Sequence, residues 1–92
     1  MSLDAVLARI DADLEPSIER LFDLIRIPSI STDPAYAGDC RRAGQWVTDE
    51  LTKLGFKASL RETKGLPMVV AHYDPAGLPA DAPRFLFYGH YD

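Results

Sequence analysis

The sequence contains a single cysteine, no long apolar run and no surplus of positive charge. Cys40 has no partner for an internal disulfide, which favours a reducing compartment. No apolar run approaches the roughly 18 residues that a membrane helix needs. The first residues lack the basic and apolar regions of a signal peptide, so we expect a cytoplasmic protein with no membrane partner.

Charge and length narrow the class of protein further. Ten basic and 14 acidic residues give a formal net charge of −4, which argues against a nucleic-acid partner because such surfaces are basic. With 92 residues, 47% of them apolar, the chain forms at most one small globular domain. A domain of this size buries roughly two thirds of its surface at best, so we expect marginal stability without a partner or further chain.

Apolar residues at helical spacing predict helices in the first 54 residues. The first helix begins at the capping residue Ser2, and Pro16 either starts a second helix or kinks a continuous one. This stretch should end before Pro28, because a residue that precedes proline avoids helical geometry. A third helix runs from about 36 to 54 and ends at Gly55, which suits the left-handed position after a helix.

Three strands are predicted after these helices. Residues 57–63 alternate apolar and polar, as in a strand with one wet face. Residues 68–73 and 85–88 are apolar throughout, as in strands covered on both faces, and a loop rich in Pro and Gly, 74–83, joins them. The predicted fold is α/β, with N-terminal helices packed on the start of a mixed β-sheet that is still incomplete at Asp92.

Three other features admit both a structural and a functional interpretation. The loop 27–34 is either a plain connector or a segment that lies against a site. Cys40 is either a small buried side chain, the commoner case, or a nucleophile. The adjacent Arg41 and Arg42 belong either to a solvated helix face, again the commoner case, or to a clamp for a substrate.

The triplet His-Tyr-Asp occurs twice, each time after an apolar strand, as 72–74 and as 90–92. Either His72 and His90 bind one metal ion together, or one is a ligand and the other merely ends a strand. Gly89 precedes the second triplet and allows close approach of the backbone, whereas the first triplet leads into a long loop. A carboxylate two residues from a His can hold its imidazole in one tautomer. Of the two histidines, these features favour His90 as the candidate metal ligand, with Asp92 as the residue that orients it.

His90 and Asp92 are too few for a catalytic metal centre, which usually takes about three protein ligands and one open position. We therefore expect the 92 residues to be the front part of a longer protein.

The segment 87–92, with the sequence Phe-Tyr-Gly-His-Tyr-Asp, resembles the first metal-binding motif of the co-catalytic zinc aminoacylase/carnosinase family. This family includes acetylornithine deacetylase, succinyl-diaminopimelate desuccinylase, carboxypeptidase G and the carnosine-type dipeptidases. The phrase 89–92 is most similar to the dipeptidase branch. The similarity extends upstream in family order, through the N-terminal helices, the segment 27–31, the helix closed by 54–56 and the strand 69–71.

The resemblance implies that residues 1–92 are the N-terminal part of a catalytic, metal-binding domain. The rest of that domain and a dimerisation domain are absent from the sequence. His90 would bind one of two zinc ions (Zn2+), and Asp92 would be the neighbouring catalytic residue that orients it. The family's other ligands and its general base, a Glu, have no counterpart here.

The activity implied for the full-length protein is hydrolysis of amide bonds in dipeptides or N-acyl amino acids by zinc-activated water. The resemblance also implies a homodimer, and the 92 residues alone are expected to be inactive. The alternative is a stand-alone small α/β binding or interaction module without catalysis. A stop codon directly after Asp92, or a folded monomer that unfolds cooperatively, would favour that alternative.

Overall fold

Helices precede strands in the computed structural model, which describes residues 2–92. The helices are α1 (Leu3–Ala12), α2 (Leu14–Ile25) and α3 (Ala37–Lys53), and a short 3-10 helix (Pro34–Tyr36) leads into α3. The strands are β1 (Lys57–Arg61) and β2 (Met68–His72). The predicted α/β class is confirmed, as a small arrangement of three α-helices and a two-stranded sheet.

The first two helices begin and end where local chemistry predicts. The Ser2 hydroxyl accepts a hydrogen bond from the backbone N–H of Ala5 at 3.1 Å and so caps α1. Pro16 lies in the first turn of α2, so it belongs to the start of a second helix. Helix α2 ends at Ile25, ahead of Pro28.

Helix α3 ends in a Schellman motif, as its sequence predicts. Gly55 has φ = +96°, and its N–H donates to the carbonyl of Thr52 at 3.0 Å. The N–H of Phe56 donates to the carbonyl of Leu51 at 3.0 Å. These bonds satisfy two carbonyls at the end of the helix and turn the chain toward β1.

The core lies between α3 and the sheet, and it is small. Cys40 and Ala43 are fully buried, Gly44 is buried one turn after Cys40, and Thr48 is buried one turn after Gly44. The Thr48 hydroxyl donates to the carbonyl of Gly44 at 2.8 Å, so this polar side chain is satisfied inside the core.

Helices α1 and α2 contact each other, whereas α3 packs on β1 and β2. Within residues 2–92, neither α1 nor α2 contains a buried residue. The expectation that the N-terminal helices pack on the sheet therefore holds for α3 and is wrong for α1 and α2. Helix α3 occupies one face of the two-stranded sheet, and α1 and α2 pair with each other instead.

Strands β1 and β2 pair antiparallel, with a register that runs from Lys57 opposite His72 to Arg61 opposite Met68. The predicted mixed sheet and the predicted third strand at 85–88 are wrong for the described part of the chain. Residues 85–88 are between 80% and 96% exposed, and no strand lies beside them within 2–92. A strand exists only through pairing, so an apolar run without a neighbour stays unpaired and solvated.

Strand β2 is also less covered than its apolar sequence predicts. Met68 and His72 are exposed, and the three residues between them are half-buried. The strand has α3 on one face and no second layer on the other among the described residues.

Over the same residues, no helix has both the length and the apolar character required to cross a membrane.

Candidate functional site

The second His-Tyr-Asp triplet lies against the loop 27–34. The Ser29 hydroxyl donates to the backbone carbonyl of Tyr91 at 2.9 Å. The Ser31 hydroxyl donates to Oδ2 of Asp92 at 2.6 Å. Of the two interpretations of this loop, the structure supports the one in which it lies against the candidate site.

Local hydrogen bonds hold this loop in shape. The N–H of Ser29 donates to the carbonyl of Ile27 at 2.8 Å, and the N–H of Ile30 donates to the carbonyl of Pro28 at 2.9 Å, which forms two successive three-residue turns. The Asp33 carboxylate accepts from the N–H of Ala35 at 3.0 Å and caps the 3-10 helix that follows. The two serines therefore lie on a defined backbone between α2 and the capped 3-10 helix.

Tyr91 anchors the terminal segment, residues 89–92, to α3. Its ring lies over Gly44, where an added Cβ would be 3.2 Å from Cζ of the tyrosine. Its hydroxyl donates to the carbonyl of the buried Pro67, and partial burial raises the pKa of Tyr91. His90 and Asp92 flank this anchor and are exposed. The middle residue of the triplet therefore holds the segment in place, and its two neighbours remain accessible.

The site contains four residues that no sequence pattern singled out: Ser29, Ser31, Gly44 and Tyr91. One signal was available. A glycine in a helix interior costs about 1 kcal/mol relative to alanine, so a glycine on the apolar face of α3 indicates close packing there.

The imidazole of His90 lies between two partners. Its Nδ1 is 3.2 Å from Oδ1 of Asp92, and its Nε2 is 3.1 Å from the hydroxyl of Tyr88. The Tyr88 and His90 rings meet edge to face, with centroids 5.4 Å apart. The hydrogen bond from Ser31, followed by that from His90, lowers the pKa of Asp92 below its ordinary value. Asp92 is thus ionised at neutral pH.

The charge of Asp92 determines the tautomer of a neutral His90. An ionised carboxylate can only accept hydrogen bonds, so Nδ1 carries the proton and donates to Asp92. Nε2 then keeps its lone pair and accepts from the Tyr88 hydroxyl. A lone pair on Nε2, with a carboxylate on the opposite nitrogen, is the arrangement of a zinc-binding histidine and its orienting partner.

The residues present supply one candidate metal ligand, His90, and one carboxylate that orients it, Asp92. Among the residues that the structure describes, no three His, Cys, Asp or Glu side chains are grouped so as to hold a metal ion. The roles of His90 as a metal ligand and of Asp92 as a catalytic residue stay predictions, and the geometry is compatible with both.

The first triplet has different neighbours. The Asp74 carboxylate forms an ion pair with Arg84 at 2.7 Å, which closes the loop 74–83. His72 ends β2 opposite Lys57 and lines an open depression of about 500 Å³. These contacts favour the interpretation in which the first triplet ends a strand and starts a loop.

Cys40 is fully buried, and burial raises the pKa of its thiol, with a smaller contribution from Asp92 and Asp39. The reactive form of a cysteine is the thiolate, which this environment disfavours. The structural interpretation of Cys40 is therefore the better supported one.

The two arginines of α3 are engaged within the chain. Arg41 binds the carboxylate of Glu62 through both terminal nitrogens, and the second contact is 3.0 Å long. Arg42 binds Asp39, one turn earlier in the helix, at 2.5 Å. All four side chains lie at the surface, which supports a solvated, ion-paired helix face over a substrate clamp.

Comparison with known proteins supports a dipeptidase-type relationship. The chain is 32% identical over 97 aligned residues to a cysteinylglycine-S-conjugate dipeptidase from Corynebacterium striatum. The alignment covers 100% of this chain and 21% of the relative, so the chain spans about a fifth of the relative's length. No family model matches the chain, and no solved structure matches it. The finding supports a hydrolase relationship and does not confirm a particular branch of a family.

Proposed function

We propose that residues 1–92 are the N-terminal part of the catalytic domain of a zinc-dependent dipeptidase-type hydrolase. The observation that carries the proposal is the His90–Asp92 pair, which Tyr91 anchors to α3 and which the loop 27–34 holds through Ser29 and Ser31. The similarity to a protein named as a dipeptidase, which extends over the whole chain, supports the same class of enzyme.

The roles of the chain's own residues follow from the hydrogen bonds. Asp92 accepts from Nδ1 of His90 and thereby leaves Nε2 as the nitrogen that would bind zinc. The Tyr88 hydroxyl contacts the same nitrogen and would have to give up that contact. Bound zinc would polarise the scissile amide carbonyl and make water a stronger nucleophile. The further ligands and the general base belong to parts of the longer protein that we propose.

The exposed apolar residues support a longer protein over the stand-alone module. Four consecutive large side chains at 85–88 are almost fully exposed. Soluble monomers rarely expose contiguous apolar patches of this kind, and such patches usually mark contacts with other chain segments or proteins. In the proposed protein, further parts of the catalytic domain cover this segment.

The proposal includes a substrate class, a location and an assembly. Substrates would be dipeptides or N-acyl amino acids, and the acidic balance of the chain fits the absence of a nucleic-acid partner. The buried, unpaired Cys40 fits a cytoplasmic location. The full-length protein would act as a homodimer with two zinc ions in each active site.

The proposal is tested by assaying the full-length gene product for hydrolysis of dipeptides and N-acyl amino acids, with and without a chelator. We expect activity that the chelator removes and added zinc restores. His90→Gln should lower kcat/KM by more than the 10- to 100-fold that loss of an outer-shell partner typically costs. His72→Gln, the same change in the other triplet, should stay within about threefold of wild type, because within residues 2–92 the His72 side chain forms no hydrogen bond with His90, Asp92 or the loop 27–34.

Two results would contradict the proposal. One is the absence of chelator-sensitive hydrolysis in the full-length protein. The other is an equal loss of activity in His72→Gln and His90→Gln, which would remove the distinction between the two triplets.

A further inference from the structure

Ser31 is the one side chain other than His90 that forms a hydrogen bond with the Asp92 side chain within residues 2–92. We propose that Ser31 is a positioning residue, whose hydroxyl fixes the Asp92 carboxylate so that its other oxygen faces Nδ1 of His90. This inference rests on the proposed function, because it gives Ser31 a place in the orientation of the metal ligand.

The two oxygens of Asp92 have separate partners. Oδ2 is 2.6 Å from the Ser31 hydroxyl, and Oδ1 is 3.2 Å from Nδ1 of His90. The first distance is in the range of short, charge-assisted O–H···O⁻ bonds, whereas the second is at the long end of the normal range. The carboxylate is therefore held chiefly by Ser31, and its plane determines how well it can accept from His90.

Ser29 and Ser31 have different effects on the terminal segment. Ser29 binds the backbone of Tyr91, so it helps to hold the segment against the loop. Ser31 binds a side chain, so it sets the rotation of one carboxylate. Because Tyr91 is separately anchored through Pro67, loss of the Ser31 hydroxyl should leave the segment in place and free only the carboxylate.

No cation of the described chain competes with Ser31 for this carboxylate. His90 is the one ion-pair partner of Asp92 among residues 2–92, and Arg41, on the adjacent helix, is bound to Glu62. Ser31 therefore occupies Oδ2 of Asp92 and leaves Oδ1 available to accept from Nδ1 of His90.

The test compares Ser31→Ala, which removes the hydroxyl, with Ser31→Thr, which keeps it. Ser59→Ala is the control, because Ser59 is exposed on β1 and its hydroxyl, within residues 2–92, accepts a hydrogen bond only from Nε of nearby Arg61. The first readout is the ¹⁵N NMR spectrum of the imidazole nitrogens in the chain, which distinguishes the Nδ1–H from the Nε2–H tautomer. His72 provides an internal reference in every spectrum.

We expect wild type and Ser31→Thr to show His90 mainly as the Nδ1–H tautomer. Ser31→Ala should shift His90 toward the Nε2–H tautomer, with the His72 signals unchanged. In an Asp92→Asn background the Ser31→Ala change should have little further effect, because Ser31 acts through the carboxylate. In the full-length protein, Ser31→Ala should lower kcat about tenfold and leave KM within about twofold.

The possible outcomes separate this inference from the proposed function. Unchanged His90 signals and unchanged kcat in Ser31→Ala, beside an active wild type, would overturn the role of Ser31 and leave the hydrolase proposal intact. An equal shift in Ser59→Ala would overturn it as well. A shifted tautomer in a protein without hydrolase activity would overturn the proposed function and support the orientation of His90 by Ser31.

Discussion

Replacing Gly44 by alanine tests how the segment that carries His90 is seated on α3. A Cβ at this position would lie 2.8 Å from Cδ1 of Leu60 and 3.2 Å from Cζ of Tyr91. The Leu60 methyl can move by a change of rotamer. The Tyr91 ring has less freedom, because its hydroxyl is bonded to Pro67. The substitution should therefore displace the segment on either side of Tyr91.

The expected magnitude is the difference between two opposing effects. Alanine in a helix interior is favoured over glycine by about 1 kcal/mol. Overpacking a filled site costs about 1–3 kcal/mol. We therefore expect Gly44→Ala to lower the free energy of unfolding by about 0–2 kcal/mol. Gly38→Ala, in the first turn of the same helix with no atom within 4 Å of the added Cβ, should raise it by up to about 1 kcal/mol.

The assay is urea denaturation of the chain and the two variants, followed by far-ultraviolet circular dichroism. The informative quantity is the difference between the variants, which we expect to be up to about 3 kcal/mol, with Gly44→Ala the less stable. For a domain of this size, 1 kcal/mol corresponds to a shift in Tm of roughly 4–8 °C. A Gly44→Ala variant at least as stable as Gly38→Ala would refute the close packing of Tyr91 on α3.

Two further predictions concern the ionisable groups of α3. The hydrogen bond from Arg41 lowers the pKa of Glu62, so the stability that this pair contributes is present above the ordinary Glu pKa of 4.5 and is lost as the pH falls through the depressed pKa. Arg41→Gln should return the Glu62 pKa toward its ordinary value in a ¹³C NMR titration, whereas Arg42→Gln should leave it unchanged; equal effects would contradict the pairing. Cys40 should react with a disulfide reagent much more slowly in the folded chain than in urea, because the thiol is buried and its pKa is raised. Equal rates in the two conditions would show that this part of the core is open.

The helix boundaries could be predicted because each depends on the backbone of a few adjacent residues. Ser2 caps the first turn that follows it, Pro28 restricts the residue before it, and Gly55 adopts a conformation that other residues avoid. None of these effects requires knowledge of distant parts of the chain. These local rules therefore place the start of α1 and the ends of α2 and α3 before any packing is considered, whereas the break between α1 and α2 had two possible interpretations at Pro16.

The third strand could not be predicted in the same way. The apolar run at 85–88 indicates a tendency toward burial, but a strand forms only when another strand supplies its hydrogen bonds. Whether such a partner strand exists depends on the whole fold and cannot be read from residues 85–88 themselves. The burial of β2 could not be predicted for the same reason, because it depends on whether a helix or sheet covers each of its two faces.

About half of the candidate site could be predicted from the sequence. His90 and Asp92 are two residues apart, so their pairing follows from local geometry. Ser29 and Ser31 are 62 and 61 positions from their partners, and no local pattern connects them. Tyr91 was visible only as the middle of a repeated triplet, and its role as an anchor depends on the space that Gly44 leaves on another element.

The long separation in sequence between the loop 27–34 and the segment 89–92 has a consequence for the order in which the site is assembled. A ribosome adds about 5–20 residues per second, so the 61 positions between Ser31 and Asp92 correspond to about 3–12 s of synthesis. During that interval the loop has been made and its partners have not. Closing so long a loop also costs entropy that only the finished contacts return. We therefore expect the orientation of His90 to be a late event, absent from partly folded chains in which the helices have already formed.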